Sequence, residues 1–325
     1  MSPGAQLSGL YPRSEILVEL TRSYERGRIS WGDAQKQLDV DTAEIVRLQD
    51  EYGFDVFSDG SFSWQDQLRP IVGSFEGVTS GTGYSRWFDT NTFYRKPIVE
   101  GKVSLGKVEL QNFLSSDLQP KGKRWKVTLP GPYTLSELSD NEHYKSKAEL
   151  VSDIANAEAA LIKRLRLEGI DSFQLGEPCL VYQPYREKFA GERELKLALS
   201  AIERITQDDP ASIILQTYFG DASKILPSLL KLNVGTVGFD VFETDYSSLK
   251  LETDKNIALG IVDSRDSNVE DPAWIAETAL RAIKHVSGGD VVFVPNADLK
   301  LVPRHVADAK ARSLGEARKL FGEQT

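Results

Sequence analysis

Cysteine and histidine are almost absent from this chain of 325 residues. It has one cysteine, Cys179, and three histidines, His143, His285 and His305. A single cysteine excludes a disulfide within the chain, so we expect a reducing compartment, the cytoplasm. No pair of these residues has the His-x-Cys or Cys-x-x-Cys spacing of a zinc site. We therefore expect this chain to bind no metal, although a site built from carboxylates alone stays open.

Long apolar runs and an excess of positive charge are also lacking. No stretch approaches the roughly 18 apolar residues that a membrane helix requires, and no basic segment followed by an apolar run marks a secretory signal at the start. The formal net charge is −9, which disfavours nucleic acid or an anionic membrane as the main partner. Hydrophobic residues make up 40% of the chain, enough for an ordinary buried core.

Short apolar runs rich in β-branched residues alternate with longer segments of helical period. The strand candidates are residues 8–11 (the weakest), 55–58, 125–129, 172–175, 213–217, 236–239, 257–262 and 291–294. Each is followed by a plausible helix, and eight such units favour a (βα)8 TIM barrel over an open doubly wound sheet. No Gly-x-Gly-x-x-Gly turn follows the first strand, which further disfavours a dinucleotide-binding fold. We expect one barrel domain over residues 1–325.

Two segments fall outside the repeat of strands and helices. Residues 12–52 form a helical extension, within which Ser30 has the character of a helix cap. Residues 60–124 form a long insertion between the second and third strands. Within it, residues 97–105 have the pattern of a strand and turn, which predicts a β-hairpin over the barrel mouth.

Polar side chains stand at or just beyond the ends of the predicted strands, where the chemistry of α/β barrels is located. These barrel-mouth candidates are Asp59, Asp66, Glu177, Asp240, Asp263 and Asn296. Buried acids at this position can bind a cation, an amine or a hydroxyl group. An acid after a strand also commonly caps the next helix. Both interpretations stay open, and no catalytic residue can be singled out.

The segment 84–91 combines aromatic, acidic, amide and basic side chains inside the insertion, and long insertions often carry function. Its part Arg86-Trp87-Phe88-Asp89-Thr90-Asn91 resembles the Lys/Arg-Trp-Phe-Asp-Thr-Asn signature of the cobalamin-independent methionine synthase family, specifically of the N-terminal domain. Further motifs resemble that family in the same order along the chain. They are Tyr11-Pro12-Arg13, Gly27-Arg28-Ile29-Ser30, Phe57-Ser58-Asp59-Gly60-Ser61, Gly131-Pro132-Tyr133-Thr134-Leu135, Gln174-Leu175-Gly176-Glu177-Pro178 and Thr217-Tyr218-Phe219-Gly220.

The resemblance implies an activity divided between two barrels. In the family, the C-terminal barrel holds zinc on His, Cys, Glu and Cys and binds homocysteine, while the N-terminal barrel supports the folate. At the matching zinc positions this chain has residues within 216–219, Asp240 and about Ala297. Gly176 replaces the homocysteine-binding Asp of the Asp-Glu-Pro motif. The resemblance therefore implies a zinc-free subunit of a methyltransferase in methionine biosynthesis, which needs a separate zinc-bearing C-terminal-type chain and is not active alone.

The resemblance also implies which residues contact a methyl-folate polyglutamate: Arg13, Arg86, Trp87, Asp89 and Asn91. Arg86 stands in the place of the family's folate-contacting Lys, and a guanidinium suits carboxylates. The family's basic Arg-Glu-Leu-Lys falls at residues 15–18 here, so part of the tail site is missing. Trp87 can instead belong to the core, and Asp89 and Asn91 can hydrogen-bond their own loop.

Two other functions stay open. One is a stand-alone, metal-free enzyme that uses acids such as Asp59, Glu177, Asp240 and Asp263. The other is a barrel that binds a ligand without chemistry, which a filled or apolar mouth would favour.

Overall fold

The chain folds around an eight-stranded barrel whose strands are all parallel. The structure, a computed structural model, describes residues 3–113, 118–183 and 192–325. In chain order the strands are β1 Gly4–Ala5, β2 Val56–Phe57, β3 Phe75–Arg86, β4 Phe93–Leu105, β5 Arg124–Pro130, β6 Asp140–Asn141, β7 Ser172–Gly176, β8 Ile213–Gln216, β9 Thr236–Asp240, β10 Leu251–Glu252, β11 Asn256–Val262, β12 Val286–Ser287 and β13 Val291–Pro295. The barrel order is β1-β13-β11-β9-β8-β7-β5-β2, and a bridge between Gln6 and Val56 closes the ring. The TIM-barrel prediction is confirmed.

Helices surround this barrel. They are α1 Glu15–Glu25, α2 Trp31–Glu51, α3 Arg69–Val72, α4 Pro132–Glu137, α5 Lys147–Arg166, α6 Glu192–Thr206, α7 Leu226–Leu229, α8 Pro272–Ala282 and α9 Arg304–Gln324. The helical extension is therefore α1 and α2, and Ser30 caps α2 in a capping box with Asp33, as its sequence predicts. None of the helices in the described ranges is both long and apolar enough to cross a membrane.

The first barrel strand lies earlier than the sequence pattern indicates. Residues 8–11 are not a strand, and β1 is the short segment Gly4–Ala5. The prediction was wrong because Gly9 adopts a φ of +57° and lies directly against Asp298, where an added Cβ would come within 1.5 Å of the carboxylate. The chain leaves the sheet there, and the amide of Leu10 donates to Asp298 Oδ1 over 3.1 Å.

The insertion contains the expected hairpin. Strands β3 and β4 pair antiparallel from Phe75 opposite Leu105 to Arg86 opposite Phe93. Residues 87–92 form its tip, where the amide of Trp87 donates to the carbonyl of Thr92 over 2.9 Å. The methionine-synthase-like motif therefore occupies the hairpin tip.

Polar side chains fill the inside of the barrel. Lys126 Nζ donates to Gln6 Oε1 (3.1 Å) and Gln174 Oε1 (2.7 Å). Gln174 in turn donates to Gln216 Oε1 over 2.9 Å, and Gln216 donates to the carbonyl of Asn296 over 2.8 Å. Burial lowers the pKa of Lys126 to about 7. The barrel is a packed core and not a channel.

Candidate functional site

Three of the predicted mouth residues meet at the carboxyl ends of β9, β11 and β13. Asn296 Nδ2 lies 3.1 Å from Asp240 Oδ2 and 3.2 Å from Asp263 Oδ1, so one amide holds both acids. Its own Oδ1 accepts from the amide of Ser264 over 2.9 Å. Parallel strands bring their carboxyl ends to one edge, which is why residues up to 56 positions apart in the chain come together.

Asp240 is fully buried, and its carboxylate already has several donors. It accepts from the amides of Phe219 (3.3 Å) and Phe242 (3.0 Å) as well as from Asn296. Burial raises the pKa of Asp240 to about 6, although these donors act in the opposite direction. Its lone pairs are therefore directed to the protein itself.

Arg265 belongs to this site, and the sequence reasoning missed it. Its guanidinium carbon lies 4.9 Å from the centre of the Phe219 ring, and the side chain forms ion pairs with Glu243 and Asp263. Reading two residues beyond Asp263 would have found it. The loop that carries Arg265 continues to Glu270. The fully buried Lys310 anchors this loop, because it contacts both carboxylate oxygens of Glu270 at 2.9 Å.

Glu177 lies at the end of β7 but serves a helix. Its Oε1 accepts from the amide of Tyr133 (3.0 Å), and its Oε2 accepts from the amide and hydroxyl of Thr134 (2.8 and 2.7 Å). These donors form the start of α4, so Glu177 caps that helix from another part of the chain. Burial nevertheless raises the pKa of Glu177 to about 7. Glu177 therefore caps a helix, but that helix is α4, which precedes it, and not the next helix along the chain.

Asp66 and Asp59 also hold backbone in place. Asp66 Oδ1 accepts from the amides of Leu68 and Arg69 (both 2.9 Å), while its Oδ2 pairs with Arg69 Nε (2.8 Å). The same Oδ2 accepts from the amide of Arg95 in β4 over 3.2 Å, which ties the hairpin to this loop. Asp59 Oδ1 accepts from the amide of Ser61 over 2.8 Å.

Aromatic rings from the hairpin tip cover the mouth. Phe88 lies 5.9 Å from Phe219, which follows β8, and 5.0 Å from Tyr182, which follows β7. Trp87 is 2% exposed and packs edge-on against Phe88 at 4.9 Å. Phe88 and Phe219 have φ values of +52° and +68°, a conformation that costs free energy for residues other than glycine. Packing between the two rings maintains this strained closure.

The remaining predicted folate residues lie on two separate elements. Arg86, Asp89 and Asn91 are exposed at the hairpin tip, where the Arg86 guanidinium lies 5.9 Å from the Phe93 ring centre. Arg13 is half-buried before α1 and donates to the carbonyl of Trp64. Trp87 is a core residue, which matches the alternative interpretation of that position.

The architecture and the mouth define a TIM barrel with a polar interior, a hairpin insertion and an aromatic closure over its strand ends. The chain belongs to the cobalamin-independent methionine synthase family, since the family model described as "Cobalamin-independent synthase, N-terminal domain" matches residues 73–287.

Similar proteins agree with that assignment. A methionine synthase of Sulfurisphaera tokodaii is 28% identical over 319 residues, which covers 97% of this chain and 91% of the relative. One of Saccharolobus solfataricus is 27% identical over 323 residues, with 97% and 94% covered. The solved B12-independent methionine synthase of Shewanella sp. W3-18-1, in complex with selenomethionine, has a TM-score of 0.75 at 18% identity and covers 100% of this chain and 98% of its own. The putative enzyme of Listeria monocytogenes has a TM-score of 0.78 at 18% identity, with 97% and 96% covered.

At the positions that the resemblance matches to the family's zinc ligands, this chain has residues that include Tyr218, Asp240 and Ala297, and of these three only Asp240 has a side chain of the type that proteins use to bind zinc. The Tyr218 hydroxyl lies beside Gly176, 3.3 Å from where a Cβ would stand. Among the described residues, no three or more His, Cys, Asp or Glu side chains form a group that could hold a metal ion.

Proposed function

We propose that this chain is the zinc-free, N-terminal-type subunit of a two-chain cobalamin-independent methionine synthase. It supports binding of a methyl-folate polyglutamate for a separate barrel that carries the zinc. The closed mouth carries this proposal: Phe88 and Phe219 cover the strand ends, and the donors around Asp240 occupy its carboxylate. Zinc lowers the pKa of a thiol such as that of homocysteine and holds it as a thiolate, and the described residues at this mouth form no ligand set for it.

The hairpin tip is the proposed folate contact. Arg86 is exposed there, and its side chain forms no ion pair within the described part of the chain. It is therefore available for a carboxylate of the ligand or for an acid of the partner barrel. Asp89 and Asn91 are exposed beside it and supply further polar groups.

The length of the relatives favours a second candidate. Proteins named methionine synthase match this chain over 91–94% of their own length, so a protein of this size carries that name by itself. A chain of this length that acts alone, as a metal-free enzyme on the same barrel, is therefore the alternative.

Methyl transfer from methyltetrahydropteroyl-triglutamate to homocysteine, with zinc present, separates the two. The chain is assayed alone and together with a zinc-bearing C-terminal-type barrel from the same source. We expect activity only in the mixture. Activity of the isolated chain would overturn the proposed division of labour, and an inactive mixture would overturn the assignment to this reaction.

Replacing Arg86 tests the folate contact in the same assay. Arg86→Gln is expected to raise the KM for the folate about tenfold with little change in kcat, as for loss of one charge-assisted contact. Arg124→Gln is the matched control, because Arg124 lies at the other end of the barrel, beside the cavity near Gln6. Equal KM values for both variants would exclude Arg86 from the folate site.

A further inference from the structure

Two residues with strained backbones face each other across the barrel mouth. Phe88 in the hairpin tip has a φ of +52°, and Phe219 in the loop after β8 has a φ of +68°. The centres of their rings lie 5.9 Å apart. In the described part of the chain, Ser61 is the one other non-glycine residue with a positive φ. A left-handed backbone costs free energy for any residue with a side chain, so it persists only where surrounding contacts hold it.

Ring contacts from several loops hold this closure. Phe88 packs edge-on against Tyr182, which follows β7, with ring centres 5.0 Å apart. Phe219 packs edge-on against Tyr218 at 4.8 Å, and the guanidinium of Arg265, in the loop after β11, lies 4.9 Å from the Phe219 ring centre. Each such contact contributes a modest amount. The closure can therefore open while the barrel beneath it stays folded.

One backbone hydrogen bond accompanies each strained residue. The amide of Thr90 donates to the carbonyl of Trp87 over 3.1 Å, and this bond closes the turn that contains Phe88. Across the contact, the amide of Phe219 donates to Asp240 Oδ2 over 3.3 Å. Relaxing either φ to a negative value reorients the adjacent peptide groups and breaks that bond. Relaxation at Phe219 therefore removes one donor from the Asp240 carboxylate.

Three buried hydrogen-bond donors beside the closure have no acceptor among the described residues. They are Trp87 Nε1, Ser264 Oγ and Arg265 Nε. Trp87 packs against Phe88 with ring centres 4.9 Å apart. Ser264 and Arg265 lie in the loop after β11, and Arg265 covers the ring of Phe219. A buried donor without an acceptor costs free energy that contact with water would recover. The strain and these donors both raise the free energy of the closed state relative to an open one.

We propose that Phe88 and Phe219 form a gate over the barrel mouth, which this structure shows in its closed state. When the gate opens, both residues relax to a negative φ and their rings separate. Asp240 then loses the Phe219 amide as a donor, so its Oδ2 can accept from water or from an amine or hydroxyl group of a ligand. The gate belongs to the chain by itself, so it stands or fails independently of the proposed division of methyl transfer between two chains.

Amide hydrogen exchange of the full chain, followed by mass spectrometry, tests the gate through the paired variants Phe88→Ala and Phe88→Gly. Both variants remove the ring, but only glycine adopts a φ of +52° without strain. We therefore expect the amides of residues 87–92 to exchange about fivefold faster in Phe88→Ala than in Phe88→Gly, after correction for intrinsic exchange rates. The wild type, whose ring holds the closure, should exchange more slowly than Phe88→Ala.

Phe93→Ala and Phe93→Gly are the matched control, because Phe93 lies at the start of β4, is half-exposed and has no positive φ. In a strand glycine is less favourable than alanine, so the order of the two exchange rates should reverse. Circular dichroism checks that each variant folds. Phe219→Ala and Phe219→Gly repeat the test from the other side of the gate, which keeps it decisive if a Phe88 variant does not fold.

Exchange in the loop after β8 shows whether the two residues act together. Phe88→Ala should also speed the exchange of the amides of residues 217–221, which lie far from residue 88 in the sequence. Equal tip exchange in Phe88→Ala and Phe88→Gly would mean that no strain is stored at Phe88 and would overturn the inference. Faster exchange at the tip without a change at residues 217–221 would overturn it too, because Phe88 and Phe219 would then move separately.

Discussion

Glu177 and Glu158 are both fully buried carboxyl groups near each other, and the structure treats them in opposite ways. Glu177, at the end of β7, accepts three hydrogen bonds from Tyr133 and Thr134. Glu158, on α5, has no hydrogen-bond partner for either oxygen among the described residues. Burial is the same for both groups, so the difference lies in their partners.

The difference shows what decides whether a buried acid stabilises a barrel. Burial raises the pKa of Glu177 to about 7, and its donors limit that rise. Burial raises the pKa of Glu158 well above its ordinary value, and the charge of Glu177 acts in the same direction. A buried acid with donors organises backbone, whereas one without them is a cost that the surrounding packing must offset.

Glu177→Ala should give the largest effect, because it removes the buried acid that accepts hydrogen bonds. The amides of Tyr133 and Thr134 would lose their acceptor inside the protein. We expect the free energy of unfolding to fall by about 3–5 kcal/mol, since each buried donor left without a partner costs about 1–3 kcal/mol. Urea denaturation followed by circular dichroism measures it.

Glu177→Gln is the control, since it keeps one acceptor of similar shape. Its free energy of unfolding should lie between those of the wild type and Glu177→Ala. If the alanine variant were as stable as the wild type, the cap on α4 would not contribute to stability.

Asp240 is a third buried acid, which has hydrogen-bond donors and lies at the barrel mouth. The pH dependence of its contribution to stability extends the comparison. Its pKa in the folded chain is raised from 3.8 to about 6. Its contribution to the free energy of unfolding is therefore present below about pH 4 and is lost as the pH rises to about 6. Asp240→Asn cannot ionise. The stability difference between variant and wild type should therefore shift in favour of the variant by up to about 3 kcal/mol between pH 4 and pH 7, at 1.36 kcal/mol per unit.

Thermal denaturation across this pH range measures the difference. Asp263→Asn is the matched variant, because it replaces a more exposed acid. Parallel pH profiles for wild type and Asp240→Asn would show that Asp240 ionises at the same pH in the folded and unfolded chain.

The sequence predicts the barrel well and the roles of its acids less well. The β-branched runs identify seven of the eight barrel strands because those strands are buried on both faces and lack alternation. The sequence does not predict the first strand, because Gly4–Ala5 is too short to leave a pattern. Its partners, Val292 and Phe293, lie near the other end of the chain.

Partners distant in the sequence decide what the candidate site residues do. Nothing near Glu177 in the sequence indicates that its donors lie 43 and 44 positions earlier, in the first turn of α4. The signature at residues 86–91 lies at the hairpin tip. Which of its side chains enter the core, as Trp87 does, depends on contacts with Tyr94 and with the strand ends that only the folded chain shows.

Replacing Glu158 should give the smallest change, and in the opposite direction. Glu158→Leu removes a buried polar group that has no partner, so we expect the free energy of unfolding to rise by about 2 kcal/mol at pH 8. The folded pKa of Glu158 is raised, so the wild-type chain loses stability as the pH rises above about 4.5, and the advantage of leucine should be smaller at pH 4 than at pH 8. Glu158→Gln cannot ionise but stays polar. In urea denaturation its free energy of unfolding should lie between those of the wild type and Glu158→Leu. A leucine variant less stable than the wild type at pH 8 would mean that Glu158 has a stabilising partner, and the contrast with Glu177 would then disappear.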